Sequence, residues 1–151
     1  MSLRFRYKLF SAGHPIFPLG GRSVRPRPIL GVTVIGPTDS RLRDAVLDSA
    51  ADDTVFAESL AAQIGVDLRN APVGYASGIG LVRAPVRYAE LTLRITDGHE
   101  YREWPARVGF TPAALKRTLL GFAGFLQFFT AMFQGDREEF QLTVNSLYPG
   151  T

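Results

Sequence analysis

Proline and glycine divide this chain into short segments, and their spacing limits the folds open to it. The 151 residues include 10 prolines and 15 glycines, and the stretches between them are rich in Val, Ile, Leu, Phe and Thr. These residue types favour extended strands, whereas proline and glycine mark turns. The sequence therefore predicts a mainly β, mostly antiparallel protein with one or two short helices.

Several segments have the pattern of individual strands. Strict alternation of apolar and polar residues predicts a half-buried strand, and an Asp-Gly pair between two such segments predicts a hairpin. Alternation and short apolar runs place strands at residues 4–10, 29–35, 45–47, 88–95, 101–108, 130–133 and 139–144. The Gly- and Pro-rich residues 13–28 are predicted to form a loop or arm. The short strand at 45–47 ends directly at Asp48.

Two segments have features of helices. Phe56, Leu60 and Ile64 recur every four residues and are followed by Gly65, so a short amphipathic helix is predicted within residues 55–64. Thr111 followed by Pro112 is typical of an N-cap and a first helical position, and a second helix is predicted beyond them. The apolar face of this second helix would be formed by Phe122, Phe125, Leu126 and Phe129.

Composition excludes several kinds of site. The chain has no cysteine, which rules out disulfides, thiolate metal sites and cysteine nucleophiles. His14 and His99 lie in Gly- or Pro-containing segments, and neither belongs to a histidine-carboxylate cluster with metal-ligand spacing. We therefore expect neither a metal ion nor a cofactor.

Charge and hydropathy bear on the partners. The formal net charge is +3 and the pI is about 9.6, but the basic residues are spread from Arg4 to Arg137. This distribution is typical of a solvated surface, so no nucleic-acid partner is expected. Nucleic-acid binding ranks third, far behind the two functions described below. No window holds the roughly 18 apolar residues of a membrane span. The N-terminal residues do not resemble a signal peptide, so we expect no membrane association and a cytoplasmic location.

The residues after the strand at 45–47 include a candidate catalytic acid. Asp48 is followed by Ser49 and Ala50, but such a tripeptide is frequent by chance, and an aspartate at a strand end usually serves a turn or a cap. A carboxylate can activate water for attack on an amide, while a second, protonated carboxyl polarises the carbonyl. That chemistry needs two coupled acids, of which Asp48 would supply one.

A longer stretch around Asp48 resembles a known family. Residues 27–36, RPILGVTVIG, are followed after a turn by residues 45–55, AVLDSAADDTV. Together they closely resemble the retropepsins, the retroviral-type aspartic proteases, from their Arg-Pro start to their Asp-Thr-Gly-Ala-Asp-Asp-Thr-Val loop. Gly78-Ile79-Gly80 resembles the family's glycine-rich flap, and residues 108–126 resemble the segment that follows it. The resemblance covers residues 25–133 in the right order.

This resemblance implies a fold and a set of site residues. The fold would be a closed, β-barrel-like acid-protease fold, with an N-terminal strand and arm at 1–24, a family-like core at 25–133 and an additional C-terminal hairpin and tail at 134–151, all in one domain. Asp48 would be the catalytic carboxylate, and Ser49 and Ala50 would complete its loop. The remaining implied residues are the substrate-binding Ala51, Asp52, Asp53, Ser77, Gly78, Ile79 and Gly80, and a supporting Arg27.

The resemblance also implies a homodimer, because the chain carries one such motif. Two copies of Asp48 would activate a water molecule and hydrolyse a peptide bond in an extended peptide or protein substrate. Three positions depart from the family: Ser49 replaces a threonine but keeps its hydroxyl, Ala50 replaces a glycine, and Phe122 replaces an arginine that pairs with the aspartate matching Asp52. The alternative function is therefore that of a catalytically silent relative that binds peptides or dimerises.

Overall fold

A computed structural model describes residues 2–77 and 83–151 of the chain. The predicted flap residues Gly78, Ile79 and Gly80 lie outside the described residues. Within the described part the chain is mainly β, as predicted, with one α-helix. The elements are β1 (Ser2–Arg6), β2 (Lys8–Ser11), β3 (Val24–Arg27), β4 (Ile29–Ile35), β5 (Ser40–Leu47), β6 (Val55–Ala57), α1 (Glu58–Ile64), β7 (Val73–Ser77), β8 (Arg83–Thr96), β9 (Tyr101–Thr111), β10 (Thr118–Leu120), β11 (Phe129–Gln134) and β12 (Glu139–Val144).

The described strands form three sheets. The main sheet has the order β4-β5-β10-β6-β9-β8-β7, and β8 makes an additional pairing with β4. Its pairs are antiparallel except for β5 with β10 and β6 with β9, which are parallel. The terminal sheet has the order β1-β12-β11, and β2 pairs with β3 alone. Since β5 lies between β4 and β10, any residue at the end of β5 is flanked by backbone on both sides.

Most of the predicted strands and the first helix are confirmed. β4 and β12 have the predicted bounds, and β8 and β9 form the hairpin predicted around Asp97 and Gly98. Helix α1 ends at Gly65, which has a φ of 82° and donates its N–H to the carbonyls of Ala61 and Ala62. Glycine adopts this left-handed conformation without a steric penalty, which is why the helix ends there.

The N-terminal prediction of one strand at residues 4–10 is wrong. The alternating segment is divided at Tyr7, whose N–H donates to the carbonyl of Glu138 at 2.7 Å. β1 pairs with β12 in the terminal sheet, whereas β2 pairs with β3. The predicted loop at 13–28 therefore contains a strand as well. Alternation reports which residues are buried, but it does not report where a segment changes its pairing partner.

The predicted second helix is also wrong. β10 occupies part of that segment and is followed by Gly121 and by Gly124, which has a φ of 88°. Only a short 3-10 turn at Leu126–Phe128 is helical in character. The phenylalanines share no common face, since Phe122 is 59% exposed whereas Phe125 is fully buried. The left-handed Gly124 prevents a continuous helix through this segment.

A single cluster of buried side chains joins the main sheet to the terminal sheet. Trp104 of β9 lies within it, and its ring centroid is 5.4 Å from that of Phe125 and 5.2 Å from that of Phe129. Its indole N–H donates to the carbonyl of Gly124 at 3.0 Å. Leu47 and Leu120 belong to the same cluster, so the ends of β5 and β10 are fixed by packing.

No helix in residues 2–77 and 83–151 combines the length and the apolar character that crossing a membrane requires.

Candidate active site

Asp48 lies directly after β5, at the position the sequence predicts. The backbone is held from both sides: the N–H of Leu47 donates to the carbonyl of Pro28, just before β4, at 3.0 Å, and the N–H of Asp48 donates to the carbonyl of Leu120, the last residue of β10, at 3.1 Å. The side chain is partly exposed. The backbone of Asp48 is therefore fixed, while its carboxyl group remains accessible to solvent.

The loop after Asp48 folds back onto its carboxyl group. The N–H of Ala50 donates to Oδ1 of Asp48 at 3.0 Å, and the N–H of Ala51 donates to the Asp48 carbonyl at 3.1 Å. Ser49 is exposed, and its hydroxyl forms no hydrogen bond with any residue that the structure describes. A hydrogen bond from a backbone N–H fixes the orientation of a carboxyl group, so the loop presents Asp48 in one defined direction.

Ala50 occupies the loop without backbone strain. Among the described residues other than glycine, only Glu138 has a positive φ. A Cβ atom is costly at a position that requires the left-handed region, and Ala50 is not at such a position. Alanine at position 50 therefore carries no conformational penalty relative to glycine. The methyl group of Ala50 affects only the space available next to the loop.

A second segment holds the loop from behind. The N–H groups of Phe122 and Ala123 donate to the carbonyls of Ala51 and Asp52 at 2.9 and 2.8 Å. Gly121 makes this approach possible, because a Cβ at its position would lie 2.2 Å from the Asp53 carbonyl oxygen and 2.7 Å from that of Ala51. Gly121, Phe122 and Ala123, which lie in the segment predicted to be helical, thus support the loop, and we call these three residues the brace.

A cavity of about 110 Å³ adjoins this loop. Eight of the described residues line it: Ala50, Ala51, Asp52, Asp53, Val55, Tyr75, Ala76 and Leu119. It therefore brings together four of the residues predicted to form the site. Larger cavities lie elsewhere, one of about 420 Å³ beside Gln127 and one of about 530 Å³ beside Arg4, but Asp48 and its loop line neither of them.

The other predicted site residues lie at the edges of the loop and cavity, or outside the residues that the structure describes. Ser77 is the last residue of β7, which pairs with β8 up to Arg83. The flap prediction for the residues between them remains a prediction. The guanidinium of Arg27 lies 5.1 Å from the ring centroid of Phe10, and within the described ranges it makes no ion pair with Asp52. Its supporting role also remains a prediction.

Metal-ligating side chains do not cluster in the described part of the chain. Residues 2–77 and 83–151 contain no group of three or more histidines and carboxylates arranged to hold a metal ion.

Comparison with known proteins bears on the fold. No protein-family model and no curated protein matches the sequence. Among solved structures, the retroviral protease-like domain of Ddi1 from Leishmania major matches with a TM-score of 0.52 and 15% sequence identity, over 83% of this chain and 94% of that one. The chain has a retropepsin-like fold. At this level of identity the similarity concerns the fold alone.

Tyr88 is a candidate site residue that the sequence does not predict. The hydroxyl of Tyr88 in β8 donates to Oδ2 of Asp53 at 2.8 Å. Burial, and to a lesser degree the hydrogen bond to Asp53, raise the pKa of Tyr88 to about 12. No spacing in the sequence connects these two residues, which are 35 positions apart. The only signal is the alternation along β8, and it indicates a face of the sheet rather than a partner.

Proposed function

We propose that this protein is an aspartic endopeptidase in which Asp48 from two copies of the chain forms the catalytic pair. The observation that carries the proposal is the position of Asp48: it follows β5 in a retropepsin-like fold, on a loop in which the N–H of Ala50 orients its carboxyl group. Several of the residues predicted to bind substrate line a cavity beside it. The retropepsin-like fold itself does not depend on this proposal.

The proposed chemistry requires a second carboxyl group. Two carboxyls that lie close together do not both ionise readily, so they share one proton. The ionised one accepts a proton from water as that water attacks the peptide carbonyl, and the protonated one donates to the carbonyl oxygen. Collapse of the tetrahedral intermediate then breaks the C–N bond as a carboxyl group protonates the leaving nitrogen. Since each chain supplies one Asp48, both roles require two copies.

The proposed substrate is an extended peptide. A peptide lying along the loop would form backbone hydrogen bonds, and alternate side chains would enter cavities such as the one at Ala51 and Asp53. The strands β7 and β8 lead toward residues 78–80, which we propose to close over the peptide and exclude water.

The terminal sheet offers an edge for the second copy. Within the described residues β11 pairs only with β12, so its other edge is open. Met132 near the middle of β11 is 48% exposed, and Phe133 is 46% exposed. An open edge with exposed apolar side chains readily pairs with another strand.

The 3-10 turn just before β11 is also hydrogen-bonded to the brace, since the N–H of Leu126 donates to the carbonyl of Gly121 at 3.0 Å. Pairing of two β11 edges would therefore place the second copy near the loop.

Met132→Asp is expected to weaken self-association by about 10-fold or more in Kd. A two-fold axis near the middle of β11 would bring each residue 132 close to its own copy, so the substitution would oppose two like charges and remove apolar contact. Sedimentation velocity over a dilution series measures the effect. Leu42→Asp is the matched control, because Leu42 is 65% exposed on β5, away from this edge. Equal weakening by both variants would contradict pairing through β11.

The alternative, a catalytically silent peptide-binding or dimerising domain, is supported by one observation. The side chain that replaces glycine belongs to Ala50, and Ala50 lines the small cavity beside the loop. A methyl group there occupies space that a peptide backbone would need. Ala50→Gly separates the two functions.

For an active enzyme, we expect Ala50→Gly to change cleavage little and to lower the free energy of unfolding by about 0.4–1 kcal/mol, because glycine increases the entropy of the unfolded chain. Peptide cleavage and urea denaturation measure the two effects. Cleavage that appears only in the glycine variant would show that the natural chain is silent.

The direct test of the proposal is incubation of the purified protein with a mixed peptide library between about pH 4 and pH 7, with products identified by mass. Cleavage at internal peptide bonds is expected. Binding and dimerisation without any cleavage would favour the silent alternative.

A further inference from the structure

Tyr88 connects the candidate active-site loop to the strands that lead toward the predicted flap. Its hydroxyl donates to Oδ2 of Asp53, and its backbone N–H donates to the carbonyl of Pro72, just before β7. Its ring lies against Gly74 of β7, where an added Cβ would come within 2.7 Å of the ring and the hydroxyl. One side chain thus contacts both β7 and the loop.

The backbone next to Tyr88 reinforces this connection. Tyr88 pairs with Gly109 of β9, and the N–H of Gly109 donates to the carbonyl of Thr54 at 2.8 Å. A Cβ at Gly109 would lie 2.2 Å from Val86 and 3.6 Å from the Tyr88 ring, so the side chains of β8 fill the space above this glycine. Movement of Tyr88 relative to residues 53 and 54 would therefore disturb packing on both sides.

We infer that Tyr88 is a positioning residue: through its hydroxyl it fixes Asp53 at the wall of the cavity and links that wall to β7. The inference rests on the proposed peptidase function and adds to it a residue that connects β7 with Asp53 at the wall of the cavity. Asp53 lines the cavity together with Tyr75 and Ala76 of β7, whereas Tyr88 does not line it. Tyr88 acts on a bound peptide only through Asp53.

The hydrogen-bonding capacity of Asp53 is consistent with this role. A carboxylate has two oxygens that accept hydrogen bonds, so the bond from Tyr88 to Oδ2 leaves Oδ1 for a donor on the peptide. With its pKa raised to about 12, the Tyr88 phenol stays protonated and remains a donor at any pH used to assay cleavage. Without this bond, Asp53 would have to be ordered when the peptide binds, which weakens binding.

The test compares Tyr88→Phe with Tyr101→Phe. Both substitutions remove only a hydroxyl group, and Tyr101 lies at the far end of β9, where it contacts Arg94. For Tyr88→Phe we expect KM to rise about 5-fold with kcat changed less than about 2-fold, because the hydroxyl supports binding and not the chemical step. Tyr101→Phe should change neither. An unchanged KM, or a fall in kcat alone, would overturn the inference.

A second measurement does not depend on cleavage. Amide hydrogen exchange in β7 and at residues 53–54 should be faster in Tyr88→Phe than in Tyr101→Phe, since loss of the link frees both segments. If the natural protein cleaves nothing but exchange accelerates as expected, the peptidase proposal fails and the link through Tyr88 stands. If exchange is the same in both variants, the link is absent, whatever the protein cleaves.

Discussion

Replacing Asp48 with asparagine is expected to lower kcat/KM for peptide cleavage by about 10³-fold or more, while the protein still folds and dimerises. Asparagine is nearly the same size, and its side-chain oxygen still accepts the hydrogen bond from the N–H of Ala50. It cannot accept a proton from water or donate one to the carbonyl oxygen. Steady-state kinetics on a peptide identified from the library, together with circular dichroism and sedimentation, measure the separate effects.

Asp44→Asn provides the matched control for this substitution. Asp44 lies on β5 four residues before Asp48, is exposed, and forms an ion pair with Lys8 at 2.8 Å. Exposed ion pairs contribute little to stability, so cleavage and folding should both be close to those of the natural chain. Cleavage that persists in Asp48→Asn at more than about a tenth of the natural rate would exclude Asp48 as the catalytic acid.

Gly121→Ala is expected to have the second large effect, a loss of about 3 kcal/mol or more in the free energy of unfolding. The added Cβ would lie 2.2 Å from the carbonyl oxygen of Asp53 and 2.7 Å from that of Ala51. Both contacts are with backbone atoms, which cannot move without breaking the hydrogen bonds that brace the loop. Urea denaturation measures the loss, and cleavage should fall with it because Asp48 is no longer held.

Gly135→Ala makes the same chemical change where nothing lies within 4 Å of the added Cβ. It should leave the free energy of unfolding within about 0.5 kcal/mol of the natural value, as a surface substitution usually does. Equal stability of Gly121→Ala and Gly135→Ala would contradict the close packing of the brace against the loop.

Much of the fold follows from local patterns in the sequence. The alternation in β8 and β9, the apolar run of β4 and the glycine after α1 each reflect constraints within a few residues, and the structure has these elements where the sequence predicts them. The parallel pairings of β5 with β10 and of β6 with β9 join residues more than 50 positions apart. No local pattern specifies such pairs, and they were not predicted.

The two wrong predictions have a common cause. The phenylalanines after Pro112 recur at helical spacing, but Gly121 packs against the loop after Asp48, and Gly124 adopts a left-handed conformation between the exposed Phe122 and the buried Phe125. In the N-terminal segment, Tyr7 continues the alternation but lies between two strands that pair with different partners. In each segment tertiary contacts outweigh the local pattern.

The candidate site was predictable to different degrees. Asp48 and its loop follow from the resemblance of residues 27–55 to a known family, and the structure places Asp48 after a strand as expected. Tyr88 could not be predicted, because its hydrogen bond to Asp53 depends on the register of β8 against β9 and on the position of the loop. The absence of strain at Ala50 likewise could not be predicted, because it depends on the φ of the backbone at this position.

The measurement that tests the central claim most directly is the activity of mixed dimers. Natural chain and Asp48→Asn chain are mixed in varying proportions, allowed to exchange subunits, and assayed at constant total protein. If one active site needs Asp48 from both copies, an equal mixture should retain about one quarter of the natural activity, and activity should follow the square of the natural fraction. Activity of about one half, falling linearly with the natural fraction, would show that each copy acts alone and would contradict the shared site.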